Sequence, residues 1–556
     1  MRASVRLGLL TVAFLAAAIW LTWPLGRHLW DHIVDARMFG PDGAMWRQDV
    51  FLTIWIMAWG THALTTDPTQ LWHANILRPM SAALAGSENM LGYQWLFAPL
   101  YLTTGNPVFA TQTIVLLTFV LTGVATALLV EELTDSTYAG WVAGCIVAFS
   151  PWRFGEMSRV NLLGTFYLPM IVLCLSRYLR SGRRRYLPVM SAALVLQALT
   201  SYYLGYFAFA TIGLLLLPSL ATRSLTRRQW LSIAAAVATA VAMLVPFSLP
   251  YVRLQAAGVI PSDPYADPMV LAFFLSARPW MRFFTPGYEV YLGATALALA
   301  AVGCRRLRRE LWPGRAALLS LAMGGYVLAL GPALPLGHMM IPLPYRILTW
   351  VIPGLSAVRY PMRFGLLVVL AVALLAGRGV AAIIALLPRH GWHTYAKLTL
   401  VAVASVAVML EARTYVGAHV LVMPVPVGRS VPPVYSWLRT HGNSETCVEV
   451  PVGDDTFPGF YRESWYMYVS TYHWQPLING FTGHPTRDST EMRAVARELP
   501  DAAALATLRA HTHLRWVIVH LADLSPPARA MWQNAAATWR TAAQFGSDIV
   551  FDVSPQ

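Results

Sequence analysis

Long apolar stretches alternate with short polar or basic segments over the first 412 residues of the chain. The first stretch, residues 7–25, follows Arg2 and Arg6. It is long enough to cross a bilayer, for which a helix needs about 20 apolar residues, and it exceeds the apolar core of a signal peptide. We therefore expect an uncleaved first span. Later apolar runs predict further spans: 107–130, 138–150, 162–179, 186–203, 204–220, 230–248, 288–304, 316–331, 364–388 and 398–410.

One apolar segment near the N-terminus is too short for this pattern. Residues 50–64 follow Asp49 directly, and their apolar run of about 15 residues is shorter than a span requires. As a helix, the segment places Trp55, Trp59 and His62 on one face, because their spacing is i, i+4 and i+7. Tryptophan-rich segments are typical of the membrane–water interface. We therefore expect an interfacial helix that starts at Asp49.

Basic residues fall between the apolar runs, in clusters at 180–185, 223–228, 305–315 and 389–397. Cytoplasmic loops of membrane proteins are enriched in lysine and arginine, which predicts that these clusters lie inside. The chain then crosses about 11 times if residues 50–64 and 90–104 stay interfacial or re-entrant, and about 13 times if both cross. The second count would place residues 65–88 inside. Both counts place the C-terminus outside the cytoplasm.

The chain becomes more polar after residue 412. Segments rich in β-branched residues predict strands, and the segments between them predict helices. The strands are expected at 446–452, 515–520 and 548–553, and the helices at 499–512 and 526–545. We expect two domains. Residues 1–412 form a multi-spanning membrane domain with a large first outer loop at 26–89, and residues 413–556 form a small extracytoplasmic α/β domain.

Composition supports a polytopic membrane protein. The chain is 56% hydrophobic and 12% charged, and its mean hydropathy is +0.51, whereas soluble domains carry about 25% charged residues. The net charge of +14 is explained by the cytoplasmic clusters, so we expect no nucleic-acid partner. The four cysteines are scattered, without the spacing of a disulfide framework or a metal site.

Asp49 is the first candidate for chemistry. A lone carboxylate at membrane depth costs about 2.5–3.5 kcal/mol, but at the start of an interfacial helix it costs less, because the helix dipole favours the ionised form. One interpretation is a general base that takes the proton of an acceptor hydroxyl while that oxygen attacks a sugar carbon. The alternative is a plain cap of the helix.

His73, Asn75 and Glu88 lie in the segment that follows this helix. They could bind sugar hydroxyls. With Asp49 they could also bind a divalent cation, Mg²⁺ or Mn²⁺, which both prefer oxygen ligands. The alternative is ordinary hydrogen bonding within a loop. No D-x-D motif is present, so the sequence does not establish a metal or any other cofactor.

Arginines on the predicted outer side form the next group of candidates. Glu156 and Arg159 join two apolar runs, and Arg359 and Arg363 precede the run at 364–388. Arginines outside depart from the positive-inside rule, and their planar fork suits bidentate contact with a phosphate. Snorkelling of the side chains towards lipid headgroups is the competing interpretation.

The tail carries a segment dense in aromatic and polar residues, which includes Tyr466 and His473. Such side chains stack on sugar rings in some proteins and pack into the core in others, and the sequence leaves both interpretations open. No G-x-S-x-G motif is present, which argues against a hydrolase.

The order of these elements resembles the GT-C superfamily of integral-membrane glycosyltransferases. The matching features are an N-terminal span, a large first outer loop with Asp49 ahead of a tryptophan-rich helix, many further spans and an extracytoplasmic C-terminal domain. Members use sugars linked to polyprenyl phosphate, and their first-loop acidic residue, here Asp49, is catalytic or metal-binding.

This resemblance implies an enzyme of the cytoplasmic (inner) membrane that transfers a sugar from a polyprenyl-phosphate-linked donor. The acceptor would be a glycan, a lipid or a protein on the extracytoplasmic side. Asp49 would activate the acceptor for a direct displacement, which inverts the anomeric centre. Arg359 and Arg363, together with Arg159, would stabilise the phosphate leaving group.

Two other classes share parts of this pattern. A flippase or another transporter of lipid-linked glycans would show internal repeats with interrupted helices, and no repeat is visible. A polysaccharide polymerase or ligase would carry a large outer loop with paired arginines late in the chain, and residues 332–363 match that description only partly.

Overall fold

A computed structural model describes residues 3–35, 47–261, 279–305, 312–336, 339–387, 393–417 and 419–555. The helices are α1 Ala3–Leu21, α2 Arg47–Thr66, α3 Gln94–Thr104, α4 Pro107–Thr134, α5 Thr137–Ala148, α6 Pro151–Gly155, α7 Val160–Leu163, α8 Tyr167–Ser181, α9 Tyr186–Thr200, α10 Tyr202–Thr222, α11 Arg227–Ala256, α12 Pro279–Arg282, α13 Ala294–Arg305, α14 Arg315–Ala329, α15 Pro344–Val351, α16 Gly365–Leu386, α17 His393–Val416, α18 Pro433–His441, α19 Phe457–Ser470, α20 Arg487–Ala496, α21 Ala502–Thr512 and α22 Pro526–Ala535. The strands are β1 His32–Val34, β2 Ala333–Leu336, β3 Met339–Pro342, β4 Val422–Pro424, β5 Thr446–Val450, β6 Leu514–His520, β7 Arg540–Phe545 and β8 Asp548–Asp552.

The predicted apolar runs coincide with helices, which confirms the polytopic helical class. Among the described residues, seven helices are long and apolar enough to cross a membrane. They are Ser4–Leu21, Pro107–Thr134, Val160–Ser181, Tyr202–Thr222, Arg227–Ala256, Pro361–Leu386 and Thr394–Tyr415. Three shorter apolar helices are Tyr186–Thr200, Ala294–Arg305 and Arg315–Ala329. The number of crossings, and the side on which the tail lies, stay predictions. The basic clusters at 305–315 and 389–397 lie partly outside the described residues.

Contacts divide the chain into two compact units. The first, which we call the membrane unit, contains Met1–Arg27, Thr113–Ser248 and Pro261–Val420. The second, the loop–tail unit, contains His28–Gln112, Leu249–Ile260 and Leu421–Gln556. The first loop therefore folds together with the C-terminal tail, which the order of the chain does not suggest. The domain division at residues 412 and 413 stays a prediction.

Helix packing in the membrane unit depends on small residues. A Cβ atom on Gly303 of α13 would lie 1.9 Å from the carbonyl oxygen of Leu375, and one on Gly379 of α16 would lie 2.0 Å from that of Leu299. Neither space can hold a larger side chain. Glycine at such crossings is typical of membrane helices, where close backbone approach replaces the hydrophobic effect as the source of association.

The loop–tail unit contains a four-stranded sheet of order β5-β6-β8-β7, in which β5 and β6 are parallel and the other pairs are antiparallel. The three predicted strands correspond to β5, β6 and β8. The helix predicted at 526–545 is wrong in its second half, because α22 ends at Ala535 and residues 540–545 form β7. Strand β7 is mostly exposed and contains a single β-branched residue, Thr541, whereas the other strands of the sheet are rich in them. Its place is set instead by the turn at Gly546, whose φ is +62°.

Two short pairings join the first loop to the tail within this unit. Strand β1 pairs antiparallel with β4, so that His32 lies opposite Pro424. Further along, the backbone N–H of Leu77 donates to the carbonyl of Asn479 at 3.0 Å, and the N–H of Leu477 donates to that of Asn75 at 2.8 Å.

Helix α2 is longer and more enclosed than expected. It covers 20 residues, and Trp55 and Trp59 are 1% and 6% exposed. The predicted face exists, since the rings of Trp55 and Trp59 stack at 6.3 Å and that of His62 lies 5.6 Å from Trp59. The two tryptophans are buried inside the loop–tail unit, so their side chains do not themselves face lipid headgroups. That the helix lies at the membrane surface stays a prediction.

Candidate active site

Asp49 lies in the first turn of α2, half-buried. The start of the helix is held by Arg47, whose Nε and one terminal nitrogen each donate to the carboxylate of Asp35 at 2.9 Å. Asp35 is 1% exposed. A bidentate arginine–carboxylate pair is among the stronger polar contacts in proteins. The helix start, where the dipole favours an anion, is therefore fixed in place.

The rest of α2 is fastened along its length. The ring of Phe51 packs against those of Tyr461, Trp465 and Tyr468, at centroid distances of 5.7, 5.4 and 5.3 Å. The indole N–H of Trp55 donates to the side-chain oxygen of Asn75 at 3.2 Å. A group at the start of such a helix is held by rigid structure, which catalytic geometry requires.

Asn75 is 4% exposed and links the first loop to the tail. Besides accepting from Trp55, its amide nitrogen donates to the hydroxyl of Ser470 and to the carbonyl of Gln475, each at 3.2 Å. These bonds use its oxygen and both N–H groups. The hydrogen-bonding interpretation therefore accounts for the geometry of Asn75.

His73 and Glu88 have different surroundings. His73 is exposed, and its Nδ1 bonds to the carbonyl of Ser81. Glu88 is half-buried. Its chain neighbours, Ser87 and Asn89, both contact Tyr251. The hydroxyl of Tyr251 donates to the Ser87 carbonyl at 2.9 Å and accepts from the Asn89 amide at 3.4 Å. The backbone on either side of Glu88 is therefore held in place.

In the membrane unit, the structure brings together three of the predicted residues. Nε of Arg159 donates to one oxygen of Glu156 at 2.6 Å, and Nε of Arg363 donates to the other at 3.0 Å. The side chains of Glu156, Arg363 and Arg159 are 6%, 13% and 23% exposed. We call this group the arginine cluster. It holds two cations and one anion, so it carries one positive charge in excess.

Two tyrosines orient Arg363. Its guanidinium carbon lies 5.1 Å from the ring centroid of Tyr203 and 5.4 Å from that of Tyr360, distances at which a cation is attracted to an aromatic face. The side chain of Arg359 is exposed, and its backbone N–H donates to the hydroxyl of Tyr203 at 3.2 Å. Neither tyrosine was predicted from sequence to contact Arg363. Tyr360 lies three residues before Arg363, whereas Tyr203 lies 160 positions earlier in the chain.

The two arginines also set the charge state of Glu156. Burial alone would raise the pKa of this carboxyl. The adjacent guanidinium groups of Arg159 and Arg363 lower the pKa by more than burial raises it, so the net shift is downward. Glu156 is therefore ionised at neutral pH and is a poor proton acceptor. Its chemical part in the arginine cluster is to hold both cations in place.

Tyr466 and His473 lie inside the tail, 2% and 4% exposed. The hydroxyl of Tyr466 donates to the carbonyl of Pro451 at 3.1 Å. The ring of His473 stacks on Tyr435 at 5.8 Å, and its Nδ1 accepts from the N–H of Gln475 at 3.0 Å. Burial lowers the pKa of His473 to about 3, so the ring is neutral. These contacts agree with the packing interpretation of the aromatic segment.

Sequence reasoning missed a second charged group, in the sheet, which we call the histidine triad. The two ring nitrogens of His520 bond to Glu449 and to Asp548, each at 3.0 Å. The hydroxyl of Tyr435 donates to the same Glu449 oxygen at 2.7 Å. Burial alone would lower the pKa of His520, but the two carboxylates raise it to about 9, so the ring is an imidazolium at neutral pH. Glu449, His520 and Asp548 come from three strands, and the pairing of β5, β6 and β8 brings them together.

No protein-family model matches the chain. No curated protein matches it either. Among solved structures, it is similar to the arabinofuranosyltransferase AftD from Mycobacteria, with a TM-score of 0.59 and 14% identity, over 99% of this chain and 40% of that one. Two structural classes of an AftD mutant are also similar. One has a TM-score of 0.58 at 14% identity and covers 99% of this chain and 41% of the mutant chain. The other has a TM-score of 0.53 at 15% identity and covers 90% of this chain and 39% of the mutant chain.

The chain therefore spans about 40% of the length of AftD. At this level of identity the likeness shows the fold alone. The chain has a fold like that of AftD, in agreement with the GT-C-type architecture expected from the sequence.

Proposed function

We propose that the chain is a membrane glycosyltransferase that moves a sugar from a polyprenyl-phosphate-linked donor to an acceptor outside the cytoplasm, with inversion of the anomeric centre. The observation that carries the reaction class is the fold likeness to an arabinofuranosyltransferase over 99% of this chain. The arginine cluster supports the donor class, because it is a partly exposed group with an excess positive charge.

The donor's phosphate is the part of the substrate that the arginine cluster fits. The bonds to Glu156 are donated by the Nε of each arginine. The terminal nitrogens of a guanidinium form the fork that matches two phosphate oxygens. In this proposal Arg159 and Arg363 bind the leaving phosphate, Arg359 contributes charge nearby, and Glu156 keeps the two guanidinium groups in place.

Asp49 is the proposed general base. The acceptor hydroxyl oxygen forms a bond to the anomeric carbon of the donor sugar while the bond from that carbon to the phosphate oxygen breaks. Asp49 takes the hydroxyl proton, and the electron pair of the broken bond leaves with polyprenyl phosphate, whose charge the arginines stabilise. Such a single displacement inverts the anomeric centre.

The other predicted site residues have different roles in the proposal. His73 and Glu88 bind sugar hydroxyls of donor or acceptor, and a Mg²⁺ or Mn²⁺ ion at Asp49 stays a prediction. Asn75, Tyr466 and His473 support the site indirectly, because their side chains are engaged within the loop–tail unit. The acceptor is a glycan, a lipid or a protein.

The test supplies the purified chain in lipid nanodiscs with polyprenyl-phosphate-linked arabinofuranose as the first probe, then with other lipid-linked sugars, and with an oligosaccharide acceptor. We expect a glycosylated product whose anomeric configuration, read by NMR, is opposite to that of the donor. Retained configuration would refute Asp49 as the base of a single displacement. Transport of the lipid-linked sugar across the bilayer without any product would favour the flippase, and product from a nucleotide sugar alone would refute the donor class.

A further inference from the structure

His28, Asp31 and His32 form a compact cluster directly after the first span. One ligand atom from each lies within 4.8 Å of the other two. Nδ1 of His32 is 2.7 Å from a carboxylate oxygen of Asp31, and the rings of His28 and His32 are 4.3 Å apart. Among the residues that the structure describes, these are the three histidine, cysteine, aspartate or glutamate side chains whose ligand atoms lie close enough together to share one ion. It contains none of the residues predicted to bind Mg²⁺ or Mn²⁺.

We propose that this cluster binds a divalent transition-metal ion of the Zn²⁺ type. Two imidazoles and one carboxylate are a ligand set that zinc accepts, with water in a fourth, tetrahedral position. Mg²⁺ and Ca²⁺ favour sites with mainly oxygen ligands, and this cluster offers one carboxylate. Ligands about 2.0–2.1 Å from a tetrahedral ion lie about 3.4 Å apart, so small rotations of the side chains are sufficient to close the site.

The backbone and the exposure of the cluster suit an ion that enters from solvent. The N–H of His32 donates to the carbonyl of His28 at 3.3 Å, which places both histidines on one turn. The side chains of His32 and Asp31 are 20% and 52% exposed. The histidine triad is more enclosed, because the side chains of His520 and Glu449 are 10% and 0% exposed.

The position of the cluster gives the ion a bracing role. His32 begins strand β1, and three residues later the N–H of Asp35 donates to the carbonyl of Leu421 at 2.8 Å. The carboxylate of Asp35 then holds Arg47 at the start of α2. An ion on residues 28–32 fixes the segment that positions this helix start. The inference rests on the structure of this segment and does not require the proposed transferase activity.

The experiment uses the full chain, purified with a tag that contains no histidine, stripped with a chelator and titrated with Zn²⁺ by calorimetry. We expect one ion per chain, binding at least 10-fold weaker in His28→Ala and in His32→Ala, and not displaced by excess Mg²⁺. Co²⁺ in place of Zn²⁺ should give the visible absorption of a nitrogen- and oxygen-ligated ion. His511→Ala, which removes an exposed histidine of the tail, should bind as the wild type does.

Unchanged zinc affinity in the double variant His28→Ala/His32→Ala would overturn the site. Where an alanine variant does not fold, Asp31→Asn and His32→Gln retain the shape of the side chains and should weaken binding in the same way. Hydrogen exchange tests the brace: zinc should slow exchange at residues 28–35 and 421–425 in the wild type but not in His32→Gln. Binding without slower exchange would refute the bracing role.

Discussion

In the membrane unit one carboxylate lies between two arginines, whereas in the loop–tail unit one imidazolium lies between two carboxylates. The arginine cluster has an excess of positive charge, and its arginines are 13% and 23% exposed. The histidine triad has an excess of negative charge, its Glu449 is fully buried, and each ring nitrogen of His520 is already bonded.

The difference indicates which group holds the structure and which can take a ligand. A buried charge without a partner is costly, so the triad is stable only because its charges satisfy one another. The arginine cluster lies in a partly open place, and its excess charge favours an anion. Four predictions test this contrast, from the largest expected effect to the smallest.

Breaking the triad should have the largest effect, and it should be on stability. Glu449→Gln leaves the His520 imidazolium with one carboxylate in a buried place, and a broken buried ion pair costs about 3–5 kcal/mol. We expect hydrogen-exchange protection of β5, β6 and β8 to fall accordingly in the full chain. His511→Gln, at an exposed position, is the control. An unchanged protection pattern would show that the triad does not hold the sheet.

Opening the arginine cluster should instead reduce transfer. Arg363→Ala removes a donor to the leaving phosphate, and the loss of one such donor costs about 10²–10³ in kcat. Arg363→Lys keeps the charge and a partner for Glu156 but lacks the fork, so it should recover only part of the rate. Initial rates with a lipid-linked donor measure both variants. A rate equal to the wild type in Arg363→Ala would remove the cluster from the site.

The two groups should respond to pH in opposite directions. The pKa of His520 is raised to about 9 in the fold, so its stabilisation, about 3 kcal/mol, is complete below about pH 6.5 and is lost as the pH rises through about 9. The pKa of Glu156 is lowered, so its contribution is present above its ordinary value of 4.5 and is lost as the pH falls below that.

The contribution of His520 is measured by comparing the hydrogen-exchange protection factors of β6 between the wild type and His520→Gln. The gap between the two proteins should close as the pH approaches and passes 9. A gap that stays constant from pH 6 to 10 would contradict a charged His520.

A smaller effect should follow from loosening Arg363. Tyr203→Leu removes one aromatic face, an interaction of about 0.5–1 kcal/mol, and should lower kcat/KM for the lipid-linked donor about 2- to 5-fold. Tyr186→Leu is the matched control, since its ring lies 5.1 Å from Arg185, outside the arginine cluster. Equal losses in both variants would mean that the effect is not specific to Arg363.

The sequence predicts the helices of this chain better than its contacts. Apolar runs such as 107–130 and 364–388 correspond to α4 and α16, because a segment in lipid must satisfy its own backbone. The strands rich in β-branched residues were predicted equally well. Strand β7 was not predicted, since its extended conformation comes from pairing with β8 and not from its own composition.

The candidate site shows the same limit. Glu156 and Arg159 are three residues apart, so their pairing is local, but Arg363 reaches Glu156 from 207 residues away. The cover over helix α2 was not predictable for a related reason. The spacing of its aromatic residues shows a face of the helix, whereas Trp474 of the tail, whose ring lies 5.8 Å from that of Trp59 and 4.3 Å from that of His62, follows more than 400 positions later. Packing over such separations is set by the whole fold.

The measurement that tests the central claim most directly compares Asp49→Asn with Asp67→Asn in a single-turnover transfer assay, alongside binding of the lipid-linked donor. Asp67 is an exposed carboxylate that caps the turn after α2, a role that asparagine also fills. If Asp49 is the general base, Asp49→Asn lowers the transfer rate about 10²–10⁴-fold and still binds the donor as the wild type does. Asp67→Asn transfers at the rate of the wild type. Transfer by Asp49→Asn at the rate of Asp67→Asn would contradict the account.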